Sequence, residues 1–163
     1  MGVTGAGKTT VGRLLADDLG WRYFDADDFH SPENIEKMRR GVALDDRDRQ
    51  PWLDSLRTVV REQLARGEPA VLACSALKES YREKLKLDER VKFIYLKGEF
   101  ELIQHRLALR HNHYMTTALL QSQFATLEEP ADALTVNVSL PPHEIVQEIR
   151  NFVGPFNRKS RPA

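Results

Sequence analysis

Residues 2–9 read Gly2-Val3-Thr4-Gly5-Ala6-Gly7-Lys8-Thr9, and this stretch decides the fold. It matches in full the pattern G-x-x-x-x-G-K-[ST] of a phosphate-binding loop, whose glycines bring backbone N–H groups onto phosphate oxygens. The lysine of the pattern reaches the β- and γ-phosphates, and the following threonine supplies a hydroxyl to Mg²⁺. We therefore predict that residues 2–10, from Gly2 to Thr10, bind ATP, that Lys8 is also catalytic and that Thr9 is a metal ligand.

The loop leads into a helix, but only one residue precedes it. Apolar residues recur at helical spacing until a glycine ends the pattern: Val11, Leu14, Leu15, Leu19 and Gly20. A phosphate-binding loop normally follows a buried strand, and five buried apolar residues contribute on the order of 10 kcal/mol. We therefore expect that the first strand is missing from this chain and that the form is N-terminally short.

Downstream, short apolar runs alternate with longer stretches of helical period. Strands are predicted at residues 21–24, 70–74, 91–96 and 134–138. Helices are predicted from Ser31, over 48–66 with Asp48 as N-cap and Pro51 in its first turn, and over 100–110, 119–127 and 145–153. This alternation predicts an α/β fold of the P-loop NTPase type, a parallel sheet with helices on both faces. One domain is expected over residues 1–153, with a disordered tail over 154–163.

Composition narrows the class of protein. The 163 residues contain 24 basic and 24 acidic side chains, a balance that predicts neither nucleic acid nor a membrane surface as partner. No apolar run approaches the length of a membrane span. The single cysteine, Cys74, ends an apolar run, so we expect a buried structural thiol and a reducing, cytoplasmic location.

Two charged clusters follow the loop. Asp25 and Asp27 come at the carboxyl end of a predicted strand, where α/β sheets bind ligands. One of these two carboxylates can hold the Mg²⁺ water shell, and the other can take the proton of an attacking hydroxyl. The alternative is that these acids cap a helix or face solvent. We prefer that alternative for Asp28. The second cluster spans residues 45–49. Within it, Arg49 is a candidate for binding the carboxylate of a polyol acid, whereas we expect Arg47 to face solvent.

Further motifs then resemble the gluconokinases. Their order and spacing extend the resemblance from Gly2 to about Val153. The motifs are D-A-D-D-x-H (25–30), N-x-E-K-M (34–38), L-x-D-x-D-R-x-P-W-L (44–53), C-S-A-L-K-x-x-Y-R (74–82), F-I-Y-L-K-G (93–98) and L-L-x-S-Q-F-x-T-L-E-E-P (119–130).

The resemblance implies a small kinase fold like that of shikimate and nucleoside monophosphate kinases. It implies phosphorylation of D-gluconate to 6-phospho-D-gluconate by ATP, and a homodimer. By the same resemblance, Asp25 would organise Mg²⁺ and Asp27 would be the catalytic base and contact the substrate. Arg49 would bind the acid substrate, and Ser75 would lie near the phosphates and the substrate.

The resemblance also implies a lid near residues 106–118 that closes over ATP. Arg106 and Arg110 fall there as nucleotide-binding residues, Arg110 also as a catalytic one; the alternative for Arg106 is a solvated helix end. Many gluconokinases read R-K-x-H-F or R-x-G-H-F at this point, whereas this chain has R-H-N-H-Y at 110–114. A metal site at His111 and His113 would lack a third ligand at suitable spacing.

Three alternatives to a gluconokinase follow from the sequence. Another small-molecule kinase of the shikimate or nucleotide type would share the loop but differ in its acceptor. An inactive, truncated form that only binds nucleotide would follow from the short N-terminus. A GTPase switch is disfavoured, because the guanine-reading sequence N-K-x-D does not occur.

Overall fold

The structure is a computed structural model that describes residues 1–109 and 117–154. Its elements are α1 (Lys8–Leu19), β1 (Arg22–Asp25), a 3₁₀ helix (Ala26–Phe29), α2 (Pro32–Arg39), α3 (Asp46–Arg66), β2 (Ala70–Ala73), α4 (Glu79–Leu85), β3 (Ile94–Lys97), α5 (Phe100–Ala108), α6 (Thr117–Thr126), β4 (Leu134–Asn137) and α7 (Pro142–Val153). Within these ranges, no helix combines the length and apolar character needed to cross a membrane.

The strands are parallel, as the alternating pattern predicts. β1 pairs with β2, from Arg22 opposite Ala70 to Asp25 opposite Ala73. β3 pairs with β4, from Ile94 opposite Leu134 to Lys97 opposite Asn137. Hydrogen bonding therefore divides the strands of the described residues between two two-stranded sheets instead of one continuous sheet.

The backbone of Met1 and Gly2 lies between the two sheets. The Leu96 N–H donates to the Met1 carbonyl at 3.0 Å, and the Gly2 N–H donates to the Ser75 carbonyl at 3.1 Å. Behind this point lies a cavity of about 460 Å³, which we call the apolar cavity; its lining includes Leu72 and Phe93. The expectation that the chain is N-terminally short stays a prediction.

Two hydrophobic clusters cover the two faces of the sheets. Val71 packs against the first cluster and its neighbour Leu72 against the second, and successive side chains of a strand point to opposite faces. The first cluster includes residues of α1, α5 and α7, whereas the second includes residues of α3 and α4. Helices therefore lie on both faces, as predicted.

Cys74 belongs to the second cluster, and it is 5% exposed. Burial raises the pKa of this thiol to about 11, so it stays protonated and unreactive at neutral pH. The prediction of a buried cysteine is confirmed.

The start of α3 differs from the sequence prediction. Its N-cap is Asp45 and not Asp48, and the two form a capping box. The Asp48 N–H donates to Asp45 Oδ1 at 2.8 Å, and the Asp45 N–H donates to Asp48 Oδ2 at 3.1 Å. Both residues are good caps, and the reciprocal pair satisfies two backbone donors where a single cap satisfies one. Pro51 consequently lies beyond the first turn, inside the helix.

Candidate active site

The phosphate-binding loop is anchored by buried side chains and shaped by glycines. Val3 and Ala6 are 2% and 1% exposed, and both belong to the first hydrophobic cluster. Gly5 has φ 78°, and a Cβ placed there would come within 3.0 Å of Ile103 and Leu107 side-chain atoms. Only glycine combines this left-handed backbone with such close packing. The loop is therefore held in one shape.

The loop ends where α1 begins, at Lys8. The Lys8 ammonium donates to the Val3 carbonyl at 2.9 Å, which folds the side chain back over the loop. Gly7, the N-cap of α1, has φ 95° and contributes no side-chain cap to the first N–H groups of the helix. Because the cap residue has no side chain to compete, the helix start and the positive end of its dipole are a suitable place for phosphate oxygens.

A cavity of about 180 Å³ opens beside the loop, and we call it the polar cavity. Side chains from several separate segments of the chain converge on it. Of the residues predicted to form the site, those lining it are Thr4, Gly5, Gly7, Lys8, Thr9, Thr10, Asp25, Asp27, Arg49 and Ser75. Gly2, Val3 and Ala6 instead support the loop from the side of the sheets and the first cluster.

Asp25, the last residue of β1, is oriented by three donors. Its Oδ2 accepts from the Thr9 hydroxyl at 3.1 Å and from the Tyr23 hydroxyl at 2.8 Å. Its Oδ1 accepts from the Asp27 N–H at 3.2 Å. Burial, and then the bond to Asp25, raises the pKa of Tyr23 to about 12, so that the phenol stays a donor.

Thr9 and Asp25 thus present a hydroxyl and a carboxylate oxygen side by side. Mg²⁺ prefers such hard oxygen donors and usually keeps waters and substrate phosphates as its other ligands. Across residues 1–109 and 117–154, no cluster of three or more His, Cys, Asp or Glu side chains could hold a metal. The donor set therefore fits a phosphate-dependent Mg²⁺ better than a metal held by protein alone.

Asp27 lies in the 3₁₀ helix that follows β1, and contacts with Trp52 hold this helix in place. The Trp52 indole N–H donates to the Ala26 carbonyl at 2.7 Å, and the His30 ring stacks on Trp52 with centroids 4.7 Å apart. Burial lowers the pKa of His30, and its Nδ1 has no hydrogen-bond partner within the described part of the chain. Asp28 is exposed, as expected.

Sequence reasoning did not assign several of the residues that line the polar cavity, and the ring- and amide-bearing ones among them include His30, Trp52 and Gln123. Gln123 Oε1 accepts from the Thr4 N–H at 2.7 Å and so ties α6 to the phosphate-binding loop. Each lies inside a motif that resembles the gluconokinases, and that membership was the available signal. Nothing in their local pattern distinguishes a cavity-lining side chain from a core one.

The two candidate arginines near the predicted lid have different positions. The Arg106 guanidinium donates at 2.7 Å to the carbonyl of Val138, the residue that follows β4, and Arg106 is not among the residues that line the polar cavity. Arg110 and the stretch 111–114 lie outside the described residues, as does the tail from 155. The lid and Arg110 stay predictions.

Comparison with known proteins decides the family. The model of the family described as shikimate kinase matches residues 4–153. A probable gluconokinase of Mus musculus is 46% identical over 164 residues, which cover 86% of this chain and 89% of that relative. This chain belongs to the gluconokinase family. The resemblance stated from the motifs is confirmed.

Solved structures show the same relationship for this gluconokinase family member. The unliganded crystal structure of a sugar kinase from Janibacter sp. is 42% identical with a TM-score of 0.85, covering 91% of this chain and 88% of that chain. The crystal structure of a gluconokinase from Sinorhizobium meliloti is 42% identical with a TM-score of 0.80, covering 91% of this chain and 85% of that chain. The predicted α/β kinase fold is confirmed.

Proposed function

We propose that this chain phosphorylates D-gluconate to 6-phospho-D-gluconate with ATP. One observation carries the proposal. A single cavity joins the phosphate-binding loop at Lys8 and Thr9 to a carboxylate, Asp27, and a guanidinium, Arg49. Lys8 and Thr9 suit the phosphates of ATP, and Asp27 suits an attacking hydroxyl. Arg49 suits the carboxylate of an acid. Membership in the gluconokinase family supports the choice of acceptor.

Asp27 is the proposed general base. A hydroxyl oxygen of gluconate attacks the γ-phosphorus, and the bond from that phosphorus to the β–γ bridging oxygen breaks, leaving ADP. The hydroxyl proton passes to the Asp27 carboxylate. Asp27 suits this role because it lines the cavity, is exposed at its surface and has its backbone N–H tied to Asp25.

The nucleotide end of the site uses the loop. Lys8 and the N–H groups at the start of α1 bind the β- and γ-phosphates. Thr9 and Asp25 would hold Mg²⁺, which supplies charge neutralisation at the phosphates when bound. Ser75, which follows β2 and lines the same cavity, is proposed to contact the substrate beside the phosphates.

At the acceptor end, Arg49 is proposed to bind the carboxylate of gluconate. Planar guanidinium and carboxylate groups match in two parallel hydrogen bonds, which fixes the orientation of the acid. Arg106 and Arg110 are proposed to steady the nucleotide from the lid side.

We also propose that the chain acts as a single catalytic domain over 1–153, as a homodimer and in the cytoplasm. The free, buried Cys74 fits a reducing compartment. Sedimentation equilibrium tests the dimer directly: a species of twice the 18.7 kDa chain mass is expected, and a single-chain mass across micromolar concentrations would reject it.

The acceptor is tested by ADP release with gluconate, shikimate, pantothenate and AMP, each with Mg-ATP. Turnover is expected with gluconate. Turnover with another member of the panel and none with gluconate would overturn the proposal. Nucleotide binding without turnover on any acceptor would instead favour the inactive form.

A further inference from the structure

Arg49 is held at the edge of the polar cavity by a tyrosine from another helix. The Arg49 Nη1 group donates to the Tyr81 hydroxyl at 3.4 Å, and its guanidinium carbon lies 5.9 Å from the centre of the Tyr81 ring. Tyr81 belongs to α4 and is only 6% exposed, as a member of the second hydrophobic cluster. The flexible Arg49 side chain thus contacts a tyrosine ring that packing holds in place.

The Tyr81 hydroxyl is oriented by a second pair of residues. It donates to Asp46 Oδ1, and the Lys78 ammonium donates to both Asp46 carboxylate oxygens at 2.8 Å each. Burial, followed by the bond to Asp46, raises the pKa of Tyr81, so the hydroxyl keeps its proton. Since that proton points to Asp46, the oxygen lone pairs remain for Arg49.

The arrangement fixes Arg49 without neutralising it. Among residues 1–109 and 117–154, no carboxylate lies within ion-pair distance of the Arg49 guanidinium. Asp46 and Asp48 each have a lysine as ion-pair partner, Lys78 and Lys37 in that order. The hydrogen bond from that lysine is the main cause of the lowered pKa of each carboxyl, and the charge of Arg49 is only a minor cause. Tyr81 stands between Arg49 and Asp46 as a neutral group. The positive charge of Arg49 therefore stays available to an anion in the cavity.

These contacts also join two motifs that are distant in the sequence. Asp46 and Arg49 come from the motif at 44–53, and Lys78 and Tyr81 come from the motif at 74–82. The network links the first turns of α3 to the start of α4. Its only member that lines the cavity is Arg49, so the others act through it.

We propose that Tyr81, oriented by Asp46 and Lys78, is a positioning residue that aims the Arg49 guanidinium at the carboxylate of the acid substrate. This inference rests on the proposed role of Arg49 in binding gluconate. It assigns no contact between Tyr81 and the substrate. Because Arg49 is already held in place, it loses less conformational entropy when it binds an acid.

The test is Tyr81→Phe, which removes the hydroxyl and keeps the ring. We expect the gluconate KM, and the gluconate Kd from calorimetry without nucleotide, to rise roughly three- to tenfold, the effect of one net hydrogen bond. The KM for ATP should stay unchanged. Tyr95→Phe is the matched control, because Tyr95 is also buried at 3% exposure and donates to a carboxylate, Glu129, away from the cavity.

A double-variant comparison separates positioning from a general structural role. In an Arg49→Ala background, adding Tyr81→Phe should leave the gluconate Kd unchanged, since the group being aimed is gone. An equal further loss in that background would overturn the proposal, as would an unchanged Kd in Tyr81→Phe alone.

The same data distinguish this inference from the proposed function. If Arg49→Ala weakens gluconate binding and Tyr81→Phe does not, positioning is wrong and the Arg49 role stands. If Arg49→Ala leaves gluconate binding unchanged, the positioning role of Tyr81 and the acid-binding role of Arg49 are both overturned. Calorimetry needs no turnover, so a chain that binds gluconate but transfers no phosphate overturns the proposed reaction alone.

Discussion

The apolar cavity between the sheets is more than twice the size of the polar cavity beside the phosphate-binding loop, about 460 Å³ against about 180 Å³. The larger one is lined mainly by apolar side chains and by strand edges, whereas charged and hydroxyl groups converge on the smaller one. Lys8 lines both. Lining chemistry, and not volume, marks the candidate site, because phosphoryl transfer depends on placed charges and hydrogen-bond donors.

The largest effect expected in the polar cavity comes from Lys8→Ala. Removing the cation that is proposed to bind the phosphates should lower phosphate transfer to any acceptor by roughly 10³-fold or more. ADP release with Mg-ATP and gluconate measures it. Lys86→Ala is the control, since Lys86 pairs with Asp132 at the surface; equal activity in the two variants would contradict the assignment.

Asp27→Asn comes next. Loss of the proposed general base should cut turnover by roughly 10²–10⁴-fold, with gluconate and ATP binding kept. Asp28→Asn is a matched control one residue away on the same 3₁₀ helix, with an exposed side chain. A kcat for Asp27→Asn within a few-fold of the Asp28→Asn value would remove Asp27 from proton transfer.

Arg49→Ala should change affinity more than rate. A charge-assisted hydrogen bond contributes about 1.5–3 kcal/mol, so the gluconate KM should rise roughly 10- to 100-fold while ATP binding stays intact. Arg47→Ala, two residues earlier and exposed, should leave both constants unchanged. An unchanged gluconate KM in Arg49→Ala would place the acid-binding group elsewhere.

The apolar cavity is tested by lengthening the chain at its N-terminus instead of by a substitution. Among the described residues, β2 and β3 each pair with one strand only, so five apolar residues placed before Met1 can extend the contact that Met1 makes with the other edge of β3. Burial less ordering entropy leaves a net of about 2 kcal/mol. We expect Tm to rise by about 4–8 °C. Activity should rise as well, because Lys8 lines both cavities. A polar extension of equal length should do neither; equal Tm values for all three forms would contradict the prediction.

The pH dependence of stability gives that experiment a second readout. Burial lowers the pKa of the Met1 amine from 8.0 to about 5. Between those values the unfolded chain binds the extra proton, so stability should fall as pH drops from about 8 to about 5. The extended form has an amide at this position and should lose that component. Urea unfolding at pH 5, 6.5 and 8 compares the two.

Signals that are local in sequence gave the correct elements. The phosphate-binding loop, α1 and the apolar strand at 70–73 follow from contiguous residues whose pattern tolerates few alternatives. The sequence predicts Asp48 as the N-cap of α3, whereas the structure has Asp45, because acids at both positions are favourable caps and only the reciprocal bond decides between them.

Contacts between distant residues could not be predicted. The approach of Tyr81 to Arg49 depends on how α4 packs against α3, and the stacking of His30 on Trp52 depends on where the 3₁₀ helix meets α3. The division of the strands between two sheets is likewise a property of backbone pairing. Each is set by tertiary packing, which single-sequence periodicity does not encode.

The stacking of His30 on Trp52 has an optical consequence. The chain contains two tryptophans, and Trp21 lines the apolar cavity while Trp52 lines the polar one. Indole emission responds to the polarity of its surroundings and to a stacked ring. An unlabelled sample therefore has one fluorophore at each cavity, and replacing either with phenylalanine leaves an emission signal that reports on the other alone.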